Sequence, residues 1–182
     1  MTVAGFIEER IKVPGGVDVK LEGSTLAVAA KGAALKRVFR HPRVVLRVEG
    51  GEVVLRTEYP RRHEKALVGT WAAHVRNMIH GVTAGWRYEM KVVYSHFPVK
   101  VSVKADHVLI ENFLGEKHPR SAGILGVTQV DVQGDILVLT GPDIEAVSQT
   151  AARIEQATRI RGFDPRIFQD GIYITKKAVE AT

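Results

Sequence analysis

The sequence contains no cysteine. A disulfide framework, a thiolate zinc centre, an iron–sulfur cluster and a cysteine nucleophile are therefore excluded, and the interior has to hold by packing. Long apolar runs are also missing. The valine-rich stretches are broken every few residues by Lys, Arg, Asp or Glu, far short of the ~20 apolar residues a spanning helix needs, so no membrane association is expected. The first ten residues carry Glu8 and Glu9 where a secretion signal needs an apolar stretch behind a basic start; the expectation is a cytoplasmic chain. Ser/Gly linkers and blocks of like charge are absent and the seven prolines are scattered, so nothing marks a disordered segment.

What is present is ordinary globular composition: 182 residues, 45% hydrophobic and 25% charged, with 26 Lys plus Arg against 20 Asp plus Glu for a formal charge of +6. That length suits one ordinary domain or two small ones. Hydrophobic periodicity favours two. Val17-Asp18-Val19-Lys20-Leu21 and Leu26-Ala27-Val28 alternate around Glu22-Gly23-Ser24, which predicts a hairpin. Val44, Leu46 and Val48 alternate up to Glu49-Gly50-Gly51-Glu52, and Val53 and Leu55 resume, predicting a second hairpin. Leu67, Trp71, Val75, Met78 and Val82 then recur at helical spacing, with Gly81 and Gly85 expected at the helix end.

The second half follows the same order. Tyr88, Met90, Val92 and Tyr94 alternate, then Val99, Val101 and Val103, then Val108 and Ile110 after an Ala105-Asp106-His107 turn. Val130 to Val138 forms a hairpin around Gln133-Gly134-Asp135, and Gly141-Pro142-Asp143 opens a helix with Pro142 in its first turn and Ile144, Val147, Ala151 and Ile154 as its buried stripe. Val17 and Val99 are 82 residues apart, Val48 and Val132 84, and Val75 and Ile154 79. The agreement predicts a duplication: two α+β domains, residues 1–87 and 88–182, each an antiparallel sheet with a helix packed on one face.

Charge is uneven. Residues 1–88 hold 15 basic and 8 acidic side chains, residues 89–182 hold 11 and 12. The sum alone points to the first half as a nucleic-acid surface, through Lys36, Arg37, Arg40 and Arg43 or through Arg61, Arg62 and Lys65. Local clustering points to the second, where Lys117-His118-Pro119-Arg120, then Arg159, Arg161 and Arg166, then Lys176-Lys177 gather in expected loops. Each of these can neutralise a phosphate; equally, basic side chains on an outer face serve solubility.

No catalytic constellation stands out. Of the histidines His41, His63, His74, His80, His96, His107 and His118, only His74 and His80 are expected on one helix, and their spacing of six is not that of a metal pair. Gly15-Gly16 and Gly50-Gly51 lack the Lys-Ser/Thr of a phosphate loop, and no G-x-S-x-G surrounds a serine. No catalytic residue, metal or cofactor is assigned. One segment is unusual: between Arg159 and Ile174, three arginines are interleaved with Phe163, Phe168 and Tyr173 in a Gly- and Pro-bearing connection. Its arginines are expected to contact RNA phosphates, its two phenylalanines to pack on the core.

That segment, Gln156-Ala157-Thr158-Arg159-Ile160-Arg161-Gly162-Phe163-Asp164-Pro165-Arg166-Ile167-Phe168-Gln169-Asp170-Gly171-Ile172-Tyr173-Ile174, resembles the C-terminal signature of the large-subunit ribosomal protein L6 family in its archaeal and eukaryotic form. Gly69-Thr70 with Asn77-Met78-Ile79 and Gly81-Val82-Thr83 is similar to the family's first-domain helix, and Tyr94-Ser95-His96-Phe97-Pro98 to its inter-domain strand and loop; Gly115-Glu116-Lys117 and Gly141-Pro142-Asp143 also fit. The resemblance runs from about Pro14 to Ile174.

The resemblance implies a structural, non-catalytic protein of two duplicated domains, assembled into the large ribosomal subunit. It implies binding to large-subunit rRNA beside the sarcin–ricin loop, the stalk base and the factor-binding region, mainly by the second domain. Neighbouring ribosomal proteins at the stalk base are implied partners, with translation factors as further candidates. The expected rRNA contacts are Tyr94, Ser95 and His96, Lys117, His118 and Arg120, Arg159, Arg161 and Arg166, and Lys176 and Lys177. One departure is the Lys31-Gly32-Ala33-Ala34-Leu35 loop, where family members often carry a Lys-Gly-Pro-Lys-Gly-like sequence. The competing reading is a protein-interaction module that pairs exposed sheet edges with partners away from the ribosome.

Overall fold

The computed structural model describes residues 5–95, 97–164 and 166–180. Its contacts divide the chain between Thr83 and Ala84 into two compact units. The first contains β1 (Phe6–Lys12), β2 (Asp18–Glu22), β3 (Thr25–Ala30), β4 (Ala33–Val38), β5 (Val44–Glu49), β6 (Glu52–Glu58) and α1 (Arg62–Thr83). The second contains β7 (Trp86–Val93), β8 (Lys100–Val103), β9 (His107–Glu111), a 3-10 turn (Phe113–Gly115), β10 (Arg120–Gly123), β11 (Gln129–Gln133), β12 (Ile136–Gly141), α2 (Ile144–Ala157) and β13 (Gly171–Glu180). Residues 84–87 thus fall with the second unit.

Each unit is α+β with antiparallel strands, and each distributes its strands over two sheets rather than one. In the first unit the orders are β1-β6-β5 and β2-β3-β4; in the second, β11-β12-β7-β13 and β10-β9-β8. Strand for strand, β7 to β12 repeat β1 to β6, and β13 is an addition on the outer side of β7. The helix is what joins the sheets. Val68, Trp71, Ala72, Val75, Met78, Ile79 and Val82 of α1 are buried with Leu26 and Val28 of one sheet and Ile11, Val53 and Leu55 of the other. A stripe this wide covers both inner faces, and Trp71 meets Phe39 edge-on at 5.2 Å. In the second unit Val147, Ala151 and Ile154 of α2 are packed with Met90, Leu137, Leu139, Val108, Ile110 and Ile172.

Local chemistry explains the boundaries. Glu49 pairs with Glu52, leaving Gly50 and Gly51 as a two-residue turn at φ 59° and 81°, a conformation that glycine alone adopts without strain at both positions. At the start of α1, Glu64 reaches back to the backbone N–H of Arg61 at 2.9 Å and accepts a second bond from Arg43 at 3.1 Å. Its carboxyl is held below the usual glutamate range, first by hydrogen bonding to backbone N–H groups and then by the charges of Arg43 and Arg61. At the start of α2, Asp143 caps the N–H of Glu145 at 3.0 Å. Pro142 therefore precedes the cap instead of sitting in the first turn, because the Asp side chain takes the capping position.

Other expectations also need adjusting. Gly81 is buried inside α1, and it is Gly85, at φ 75°, that redirects the chain. Ala33, Ala34 and Leu35 belong to strand β4, paired with β3, so the departure from the family pattern is only the tight turn Lys31-Gly32. There Lys31, at φ 49°, donates to the carbonyl of Thr83 at 3.2 Å, a cation at the negative end of α1. His63 joins His74 and His80 on α1. Among the described residues no cluster of His, Asp and Glu is arranged to hold a metal ion, and no helix is long and apolar enough to cross a membrane.

Candidate nucleic-acid interface

The duplication makes the second unit's extra chain easy to locate. The β3-to-β4 turn is Lys31-Gly32, whereas β9 and β10 are joined by residues 112–119; α1 runs into β7 through Ala84-Gly85, whereas α2 and β13 are joined by residues 158–170. The β9–β10 connection gives Phe113 to the core, and the rest of the added length is left for another use. Both long connections, together with the β7-to-β8 loop, meet at one end of the unit.

Specific bonds hold them there. The buried carboxylate of Asp170 accepts the backbone N–H of Ser95 at 3.1 Å, linking the α2–β13 connection to the β7–β8 loop. Asn112 donates to the carbonyl of Pro98 at 3.1 Å, and a Cβ on Gly115 would stand 3.3 Å from the Phe97 ring, so the β9–β10 connection lies against the same loop. Asn112, Leu114 and Gly115 all have φ between 51° and 74°. For the leucine this is a costly conformation, of the kind that gathers where a loop is shaped for a purpose.

Arg120 ties the third pair together. Its guanidinium makes two bonds to the Glu116 carboxylate, at 2.6 and 2.9 Å, and Nη1 donates to the carbonyls of Ala157 and Arg159 at 2.9 and 3.1 Å. The same group lies over the Phe113 ring, 4.4 Å from its centroid. The negative end of the α2 dipole, which would repel a phosphate, is thereby neutralised from within. Glu116 is held below the ordinary glutamate range, chiefly by its hydrogen bonds to Arg120. Buried Thr158 completes the frame by accepting the N–H of Ile172 at 3.0 Å while donating back into the last turn of α2.

On this frame stand exposed side chains. Lys117 and His118 project from the β9–β10 connection, Arg159, Arg161 and Arg166 from the α2–β13 connection, and Tyr94 and Ser95 from the β7–β8 loop. Arg166 follows an Asp164 side chain that accepts its backbone N–H at 2.9 Å, while the Asp164 carbonyl accepts from Ile167 and Phe168 at 3.1 and 2.9 Å. This compact turn sets the arginine outward. Phe163 and Ile167 are 53% and 72% exposed. Phe163 therefore does not pack on the core as expected: its ring meets that of Phe168 at 4.9 Å and a 54° tilt, a contact made within the loop. Beside them is a groove of about 510 Å³ lined by Gln156, Arg159, Phe168, Gln169 and Tyr173, among others.

The expected contacts fall into groups. Tyr94, Ser95, Lys117, His118, Arg159, Arg161 and Arg166 are brought to this one end. Arg120 is brought there too, with its donors turned inward. His96 lies outside the described residues. Lys176 and Lys177 are not in a loop; they belong to β13, in a stretch where the register shifts on either side of Lys176, and Lys176 stands opposite Glu89, making an ion pair at 2.9 Å. From the Gly171–Val93 pair to the Lys176–Glu89 pair is four residues of β7, roughly 13 Å along the strand. The framing roles of Glu116, Asn112, Thr158 and Asp170 are not legible in the sequence, although Glu116, Thr158 and Asp170 fall in the segments that resemble the family. The spacing of Glu116 and Arg120 hints at their pair.

Comparison with known proteins finds the same duplication. The family described as Ribosomal protein L6 matches residues 13–85 and 97–171, one segment in each unit. The second includes Lys117, His118, Arg120, Arg159, Arg161 and Arg166; Tyr94 and Ser95 fall between the segments, and Lys176 and Lys177 lie beyond them. The chain is 52% identical to the large ribosomal subunit protein uL6 of Methanocella arvoryzae over 92% of its own length and 96% of the relative's. It is 47% identical to the protein of that name from Methanobrevibacter smithii over 97% and 99%, and 44% identical to that of Methanococcus vannielii over 98% of each. With both halves matched and near-complete coverage of archaeal relatives, the chain belongs to the ribosomal protein L6 family.

Proposed function

We propose that this protein is a structural constituent of the large ribosomal subunit, in the cytoplasm, and that the loop end of its second unit grips large-subunit rRNA near the sarcin–ricin loop, the stalk base and the factor-binding region. The L6 family is structural and non-enzymatic, and the three relatives above carry the name of a large-subunit protein. The observation that carries the finer reading is the convergence of three connections on one end, braced by Arg120 and Asp170 and presenting exposed arginines.

The chemistry follows from that arrangement. Forked guanidinium donors on a shaped loop contact phosphate and sugar oxygens of a folded RNA and fix its position without reading base sequence. The exposed ring of Phe163 and the groove between Arg159 and Tyr173 offer stacking surface to an unpaired base. Net charge is then a poor guide: the second half sums to −1, but its acids Glu116 and Glu89 are already paired with Arg120 and Lys176. Neighbouring proteins at the stalk base, and translation factors, are the partners this position offers to the remaining surface. Filter binding of the purified chain to the factor-binding rRNA helices at rising salt tests the reading. Preferential binding that weakens steeply with salt is expected; equal binding to unrelated RNA, or a flat salt response, overturns it.

A further inference from the structure

The two units differ at one sheet edge. In the second unit the outer side of β7 is covered by β13, whereas in the first unit β1, which holds the same place, pairs only with β6 among the described residues. The hairpins close at Glu49↔Glu52 and Gln133↔Ile136. Superposing those pairs sets Lys12 on Lys91, Ile11 on Met90 and Arg10 on Glu89. Matching the fully buried Val75 and Ile154 sets Arg76 of α1 on Glu155 of α2.

These positions are the ones that hold β13. Glu89 pairs with Lys176 at 2.9 Å, and Glu155 accepts the backbone N–H of Ile174 at 3.2 Å, while Ile172 and Ile174 of β13 stand opposite Val92 and Met90. Both acids that receive this lysine-bearing strand are arginines in the first unit. The Arg10 and Arg76 side chains are 64% and 56% exposed. Glu8 orients the first at 2.7 Å and Glu9 the second at 3.0 Å. Arg10 also stands 3.9 Å from Glu52; with five N–H donors each, both guanidiniums retain capacity for another acceptor.

We propose that the open edge of β1 receives an extended acidic segment of a partner protein as an additional antiparallel strand. Its backbone completes the ladder, its apolar residues fall opposite Ile11 and Val13, and its carboxylates meet Arg10 and Arg76. This is strand addition, in which main-chain bonds supply affinity and alternate side chains supply selection. The charge reversal selects against a β13-like strand, so the protein's own fourth strand is directed to β7 and the β1 edge is kept for a partner of opposite sign. The inference stands independently of where the second unit sits on rRNA.

The test uses the full chain, labelled for amide NMR, and two nine-residue peptides: one with the sequence of residues 171–179, the other with both lysines replaced by glutamate. The glutamate peptide is expected to shift and protect amides of residues 6–13 and to bind about tenfold more tightly than the lysine peptide. An Arg10→Glu variant is expected to reverse that preference. Four results overturn the proposal: no change at β1 with either peptide, equal binding of the two, displacement by an rRNA fragment that binds those amides more tightly, or protection of β1 through self-association without peptide.

Discussion

Arg120 and Glu116 form a bidentate pair across a non-helical loop, and the arginine's remaining donors close the end of α2 on the carbonyls of Ala157 and Arg159. This arginine acts on its own protein. Arg120→Ala is therefore expected to cost about 1–3 kcal/mol of stability, since partly buried partners are left unpaired. Urea unfolding measures the loss. RNA affinity should fall as the loops loosen, while the slope of log affinity against log salt stays at its wild-type value, because no phosphate contact has been removed.

Arg161→Ala with Arg166→Ala should behave in the opposite way. Both side chains are exposed, so stability is expected to change by about 0.5 kcal/mol or less. Affinity for the rRNA fragment should drop, and the salt slope should decrease by about 2, one unit per lost phosphate contact. Arg61→Ala with Arg62→Ala serves as the control; a larger loss from that pair would return the anchor to the first unit.

Acid should open the molecule at defined places. Glu64, Glu89 and Glu116 are all held below the ordinary glutamate range, by backbone N–H groups, by Lys176 and by Arg120 respectively. A carboxyl depressed in the folded state contributes stability above its unfolded value, about 4.3, and that contribution disappears as pH falls through the lower folded value. Hydrogen exchange followed from neutral pH downward should show β13 and the β9–β10 connection loosening only in acid. Glu89→Gln should make β13 exchange faster at neutral pH and abolish its response to acid.

Two glycine substitutions should differ in sign. A Cβ on Gly141 would stand 2.9 Å from Val147 and 3.2 Å from the carbonyl of Val127, so Gly141→Ala forces β12 and α2 apart and is expected to cost about 1–3 kcal/mol. Gly69 sits exposed within α1 with nothing near its Cβ position. Gly69→Ala should stabilise by about 0.5–1 kcal/mol through helix propensity. Thermal unfolding of both variants settles the comparison.

The parts of the fold legible in the sequence are those where side chains carry a clean period. The α1 stripe from Leu67 to Val82 and the alternation of Val53 and Leu55 were visible because both turn their apolar residues to the same core. Strand β1 was not, since Glu9 occupies an inward position that Arg76 on α1 neutralises, and an acid there breaks the alternation. Strands β4 and β10 were hidden by alanine, glycine and arginine at positions that carry apolar bulk elsewhere. For the interface, the arginines could be named but not assembled. Ser95 and Asp170, 75 residues apart in sequence, are joined by one backbone hydrogen bond, and nothing in either residue's neighbourhood announces the other.

Strand β7 lies between β12 and β13, and its partners arrive late: Met90 pairs with Leu137 on one side and with Ile174 on the other. During synthesis both of its edges stay open while the intervening chain is made, whereas α1 and every strand of the first unit have already emerged. The first unit can fold while the second waits, and the waiting strand carries Met90 and Val92 on a bare ladder. Until its last strand docks, β7 keeps an open edge, the feature that favours mispairing and chaperone capture.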